Sequence, residues 1–210
     1  MSSIPSTTEL VSLGAPIALS DGARIRIRQG HGSTDRDLLL RGFERLSPES
    51  RYRRFLVPMP ELREDAVRYL TDVDHHDHEA IIAVDEETGE GIGVARYVRH
   101  SERRDAAEIA VTVIDDWQGR GVGTLLVEVL SARAREEGIE SFTALMLAAN
   151  SDMMDMLSHL GPVRIVDQQA GTVEIEMPIP KVGLPPALKK LLRITARHDL
   201  VMPPAGRRRH

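Results

Sequence analysis

The length of 210 residues, with 41% hydrophobic and 28% charged, is that of one globular domain with a sizeable core, and no apolar run approaches the ~20 residues of a membrane span. Cysteine is absent, which excludes disulfides, thiolate metal sites and a cysteine nucleophile. The net charge of −5 is uneven: residues 179–210 carry eight Lys/Arg against one acid, +7, leaving −12 on the rest, an acidic body ill suited to nucleic acid as main partner, and 3% aromatics leave few stacking platforms.

In chain order, MSSIPSTTELVSLGAPIALS has no basic region and no solid apolar block. Residues 1–22 therefore read as a tail rather than a signal peptide, and the expected location is cytoplasmic. ARIRIRQ (23–29) alternates apolar and basic residues and predicts a strand. Helical spacing follows over 35–46. Ser47 and Pro48 read as an N-cap and a first helical position, so SPESRYRRFL is a second helix, stopped by Pro58 and Pro60. Residues 62–70 form a third. AIIAV, a DEETGE turn and GIGVARYV predict a hairpin, and AAEIAVTVI another strand. A helix over 124–137 ends at Gly138 as C-cap. SFTALML is a strand, SDMMDMLSHL a short helix packed into the core, and VRIVDQ with GTVEIEMP a last hairpin. Trp117 is expected to pack against the end of its strand. The order predicts a mixed α/β sheet of α+β character in one domain, 23–178.

Between IAVTVI and the next helix lies DDWQGRGVGTLL, with Gly119, Gly121 and Gly123 alternating. Strand, glycine turn and helix start make an anion cradle, because unpaired N–H groups and the helix dipole face the ligand. A nucleotide P-loop needs a Gly-Lys-Ser/Thr that is missing here. The dinucleotide fingerprint G-x-G-x-x-G fails at Thr124, and regular βαβ units are lacking. A plain surface turn rarely needs three alternating glycines.

A third motif fits. Gln118-Gly119-Arg120-Gly121-Val122-Gly123 matches Q/R-x-x-G-x-G/A and resembles the acetyl-CoA pyrophosphate loop of the GNAT superfamily of N-acetyltransferases. AEIAVTV before it, Asn150 at the next helix start and the order of elements from Ala23 to Pro178 carry the same resemblance. A finer resemblance is to bacterial protein lysine acetyltransferases of the Pat type, through RGFERLSPESRYRRFL, the loop leading to EAIIAV, GVARYVR and AEIAVTVIDDWQGRGVG. Some Pat-type enzymes carry a cyclic-nucleotide-binding domain; 210 residues leave no room for one, so that route of regulation is not expected.

The resemblance implies the acyl-CoA N-acyltransferase fold and direct acetyl transfer from acetyl-CoA to an amine, most specifically a protein lysine. It implies Glu108, the glutamate of AEIAxTV, as general base; by pattern alone Glu108 also fits a solvated strand residue, and Glu102 in a loop is a rival. It places the pantetheine arm on main-chain groups of Val111 and Val113, and the pyrophosphate on the N–H groups from Gly119 to Thr124. Arg120 and Arg133 either add charge or lie on the surface. Asn150 either contacts CoA or caps its helix, or both. The chain departs from the family where many members have a tyrosine general acid: that position is Leu157, the usual Gly-Phe is Gly161-Pro162, and neither Ser158 nor His159 is assigned the role. A small-amine acceptor, such as a polyamine or antibiotic, and a non-catalytic acyl-CoA sensor are the alternatives.

DVDHHDHE (72–79) packs three histidines among acids. Ligands this close in one loop seldom face one ion, so no metal is expected, and an acidic loop attracting a cationic acceptor is the other reading. PALKKLLRITARHDL sets Leu188, Leu191, Leu192 and Thr195 on one face between basic residues, a basic amphipathic helix. It is expected to dock on the acidic body or on a second subunit of a homodimer, rather than on a membrane or nucleic acid.

Overall fold

The computed structural model describes residues 16–179; the basic segment and its leucine stripe lie outside them. An eight-stranded mixed sheet runs in the order β1-β2-β3-β4-β5-β6-β8-β7. β1 (Ile17–Ala18) pairs with β2 (Arg24–Gln29), so two residues of the stretch read as tail belong to the sheet. The alternation in β2 buries Ile25 and Ile27 and turns Arg24 and Arg26 out to Glu86.

Helices α1 (Arg36–Glu44), α2 (Pro48–Phe55) and α3 (Glu64–Thr71) follow. The Ser47 hydroxyl accepts the Ser50 N–H at 3.1 Å, the expected cap. α2 stops before its prolines, at a left-handed Leu56 with φ +60°. β3 (His78–Asp85) and β4 (Gly91–Arg99) form the hairpin, and β5 (Ala106–Val113) adds antiparallel to β4. α4 (Val122–Glu136) carries the chain over to β6 (Ser141–Leu147), which is parallel to β5 and needs such a crossover. α5 (Ser151–Leu160), edge strand β7 (Arg164–Gln169) and β8 (Thr172–Pro178) complete the order, with β8 between β6 and β7. Ile179, assigned to the tail from sequence, is buried in the core, and its N–H donates to Glu140 O at 2.8 Å.

α4 packs on one face of β3, β4 and β5, burying Leu126 and Leu130 among Ile81, Ala95 and Tyr97. Helices α1 to α3 cover the other face, around Ile82, Val94 and Thr112. No described helix is long and apolar enough to cross a membrane.

Candidate active site

The sheet is slit. β5 and β6 pair only from Ala106–Ser141 to Glu108–Thr143, then diverge, although β5 runs on to Val113 and β6 to Leu147. On its other side β5 stays in register with β4 as far as Val113. The His100 N–H donates to Ala106 O and the Ile114 N–H to Ile92 O. Alternation along an antiparallel ladder therefore turns the even-numbered backbone groups toward β4 and those of Val111 and Val113 into the slit. A cleft of about 710 Å³ occupies this gap.

The glycine loop closes one end. Gly119 (φ +70°) and Gly121 (φ +84°) are left-handed, which L side chains rarely adopt, and a Cβ on either would meet nothing within 4 Å among the described residues. Gly123 serves otherwise: it lies in the first turn of α4, where a Cβ would stand 3.1 Å from Met156 Sδ on α5. α4 has no side-chain cap and no acid in its first turn. Its 15 residues thus present the free N–H groups of Val122, Gly123 and Thr124, with the positive end of the helix dipole, at the mouth of the cleft. The open space, the uncapped helix and the unpaired β5 backbone fit a pyrophosphate joined to an extended amide-bearing arm.

The expected site residues divide by location. Val111, Val113, Gln118, Gly119, Gly121, Gly123, Thr124 and Asn150 line the cleft. Gln118 acts on its own chain, its amide donating to Val113 O at 3.0 Å and Ser50 Oγ at 3.2 Å, so the Val113 carbonyl is already engaged. Asn150 caps α5, its side chain accepting the Met153 N–H at 3.3 Å. The Val122 side chain is buried in the core. The Arg120 side chain leaves the cleft: its guanidinium stacks on Trp117 at 3.9 Å and pairs with Asp21 at 2.5 Å. Arg133 sits eleven residues into α4, about 16 Å from its start. There it meets buried Glu79 at 3.3 Å and the His75 carbonyl at 3.1 Å. Glu108 is exposed, on the face that α1 to α3 cover.

α2 forms a wall of the site that its sequence does not announce. It touches both β5 and β6 and crosses the slit, with Ser50, Arg53 and Arg54 lining the cleft. Arg53 reaches Asp152 of α5 at 3.1 Å. Asp115, just after β5, holds α2 by accepting the Ser47 N–H (3.0 Å) and the hydroxyls of Ser47 (2.7 Å) and Ser50 (2.9 Å). Desolvation would raise the Asp115 pKa, but these donors outweigh it and hold the carboxyl below its usual range. The SRYRRF run was part of the family resemblance; helical spacing alone does not tell which arginine faces inward. The methionines expected in the core do more, since Met153 and Met156 also line the cleft.

The histidine-rich loop is spent on its own structure. Asp74 Oδ1 accepts the N–H groups of His76, Asp77 and His78 at 2.8–2.9 Å, and Asp77 pairs with Arg99 and Arg104. The three histidines face three partners: His75 meets Glu79, His76 meets Glu137 and His78 meets Arg96. Two arginines thus offset the charge of Asp77, while Asp74 is engaged by backbone donors.

This geometry agrees with known proteins. The profile of the acetyltransferase (GNAT) family matches residues 42–161. Acetyltransferase Pat of Mycolicibacterium smegmatis is 34% identical over 158 residues, 75% of this chain but 47% of Pat, so the chain spans about half the length of that relative. Acetyltransferase PA5475 of Pseudomonas aeruginosa is 34% identical over 69% of this chain and 77% of its own length. The crystal structure of the GNAT domain of S. lividans PAT superposes with a TM-score of 0.72 at 33% identity, covering 78% of this chain and 96% of that one. A slit sheet with a glycine-opened helix at its mouth thus coincides with the family match across the same residues, and the chain belongs to the GNAT family of acetyltransferases.

Proposed function

We propose that this chain transfers the acetyl group of acetyl-CoA directly to the side-chain amine of a protein lysine, with Glu108 as general base. The observation that carries the base reading is the end of the β5–β6 ladder. Glu108 is the last residue of β5 paired with β6, which sets it at the apex of the slit, next along the strand to the backbone on which the pantetheine arm would lie.

A free lysine amine has a pKa near ~10.4, so only on the order of one in a thousand is neutral at pH 7. Glu108 would accept the ammonium proton directly or through water, freeing the nitrogen lone pair for the thioester carbon. The Val111 groups and the Val113 N–H would align the arm, and β5 amides turned into the slit would donate to the carbonyl oxygen as it gains charge. The N–H groups from Gly119 to Thr124 would hold the pyrophosphate, Arg120 through its backbone only.

Exposure supports a protein acceptor, because a carboxylate at the surface is open to a lysine on a macromolecule. A small cationic amine would favour an enclosed acidic pocket. The apolar cavity beneath α1 to α3 instead has Arg54 and Arg96 among its lining, and its one acid, Asp35, is paired with Arg28.

The test is CoA release from acetyl-CoA with a lysine-containing protein panel and a small-amine panel in parallel, for wild type and E108Q. Release with proteins, lost in E108Q while CoA binding persists, supports the reading. Release with small amines alone would move the acceptor assignment, and an active E108Q would remove the base. CoA binding without release on either panel would favour a sensor.

A further inference from the structure

The reaction leaves a negative charge on sulfur, and α5 supplies nothing to meet it. Leu157, at the position of the usual acid, is fully buried in the core. His159 is exposed, and its ring nitrogen contacts Asp155 O at 2.6 Å. The α5 side chains at the cleft are Asp152, Asp155, Met153 and Met156, two carboxylates and two thioethers.

The facing wall is α2, and its arginines differ. Arg51 donates to the carbonyls of Leu46 and Pro60. Arg53 is held by Glu49 and Asp152. Arg54 lines the cleft without a hydrogen bond or ion pair to any described residue, half-buried, its guanidinium over the Phe55 ring at 4.9 Å. Desolvation pulls its pKa below the ordinary guanidinium value, opposed by the charge of Glu108, so the two side chains lie within electrostatic reach. Arg54 and Thr112 of β5 together line both the cleft and the apolar cavity of about 100 Å³ behind it. A guanidinium drawn partly out of water with no hydrogen-bonded counter-ion is costly unless a ligand brings one. The pyrophosphate charge falls to the glycine loop and the start of α4, ten residues on from Thr112, which leaves the sulfur as the anion for Arg54.

We propose that Arg54 is a second catalytic residue, donating hydrogen bonds and charge to the CoA sulfur as a thiolate, in place of an acid on α5. The proposal rests on the acyl-CoA reading of the cleft. As the nitrogen–carbon bond forms and the carbon–sulfur bond breaks, the electron pair stays on sulfur. With the ammonium proton already on Glu108, the second nitrogen proton, lost as the amide forms, passes to water, Arg54 keeps its own protons, and the thiolate takes a proton from solvent on release.

The decisive measurement is the ultraviolet titration of the thiolate of CoA bound to wild type, R54K and R54M. A free thiol titrates near ~8.5 and is lowered beside a cation. The expected result is a bound thiol about one unit or more below the free one in wild type, a smaller depression in R54K, and none in R54M. In parallel, kcat should fall about 100-fold in R54M with less than a threefold change in the KM for acetyl-CoA, and recover partly in R54K. A wild-type bound thiol no more acidic than free CoA would overturn the role of Arg54 without need of any variant. So would equal thiol pKa values in wild type and R54M. A wild-type protein that binds no CoA would instead remove the acyl-CoA reading itself, a distinct result.

Discussion

Gly121→Ala and Gly123→Ala should separate the two reasons for alternating glycines. At Gly121 the backbone has φ +84° and ψ 0°, and an added Cβ meets open space, so the whole cost is conformational. A left-handed non-glycine residue costs about 1–2 kcal/mol. At about 2–4 °C per kcal/mol for a chain of this size, G121A should melt about 2–8 °C lower. Gly123 is helical, so alanine there contributes about 1 kcal/mol of propensity. Against this, the new Cβ stands 3.1 Å from Met156 Sδ, and pushing that side chain off its rotamer costs about 0.5–1.5 kcal/mol. G123A should therefore stay within about 1 kcal/mol of wild type, while the displaced thioether narrows the cleft and weakens CoA binding. Calorimetric melting with CoA titration checks both variants. If G123A were the less stable, or G121A melted with wild type, the division of roles would be wrong.

E108Q should lower kcat by about 10²–10⁴ with an unchanged CoA dissociation constant, measured by single-turnover kinetics and calorimetry. Burial pushes the Glu128 carboxyl up to about 7, and its Oε2 has no hydrogen-bond partner among the described residues. With the folded pKa above the unfolded one, the folded state binds more protons, so stability from this group falls as pH rises through about 4.5–7. E128Q should flatten that slope and add about 2–3 kcal/mol at pH 8 in denaturant titrations. Asp115 behaves oppositely, its folded pKa being lowered, so its stabilisation is present above the usual carboxylate pKa and lost as acid protonates it. D115N should cost about 1 kcal/mol at neutral pH and raise protease cleavage in α2, which a limited-digestion time course would read.

Elements with a strict period were legible. The alternating RIRIRQ, the Ser47–Pro48 cap and the SFTALML strand appear where their patterns put them. The glycine loop was legible because only bare backbone explains its spacing. The slit was not, since β5 reads as an ordinary strand to its end and nothing in SFTALML says that its pairing with β5 stops at Thr143. Arg120 and Arg54 were illegible for a related reason. A side chain's direction depends on partners far along the chain, here Asp21 for Arg120 and an unpaired wall of the cleft for Arg54. The turn built on Asp74 was not legible, because its backbone donors carry no sequence signature.

A sheet that parts company with its neighbour in mid-layer has an exposed strand edge inside the molecule rather than at its rim. Such an edge invites another chain to add a strand and aggregate. The Arg53–Asp152 pair ties α2 to α5, and α2 touches both β5 and β6, so a helix already lies over this edge. The helix that frames the site thereby also lies across that interior edge.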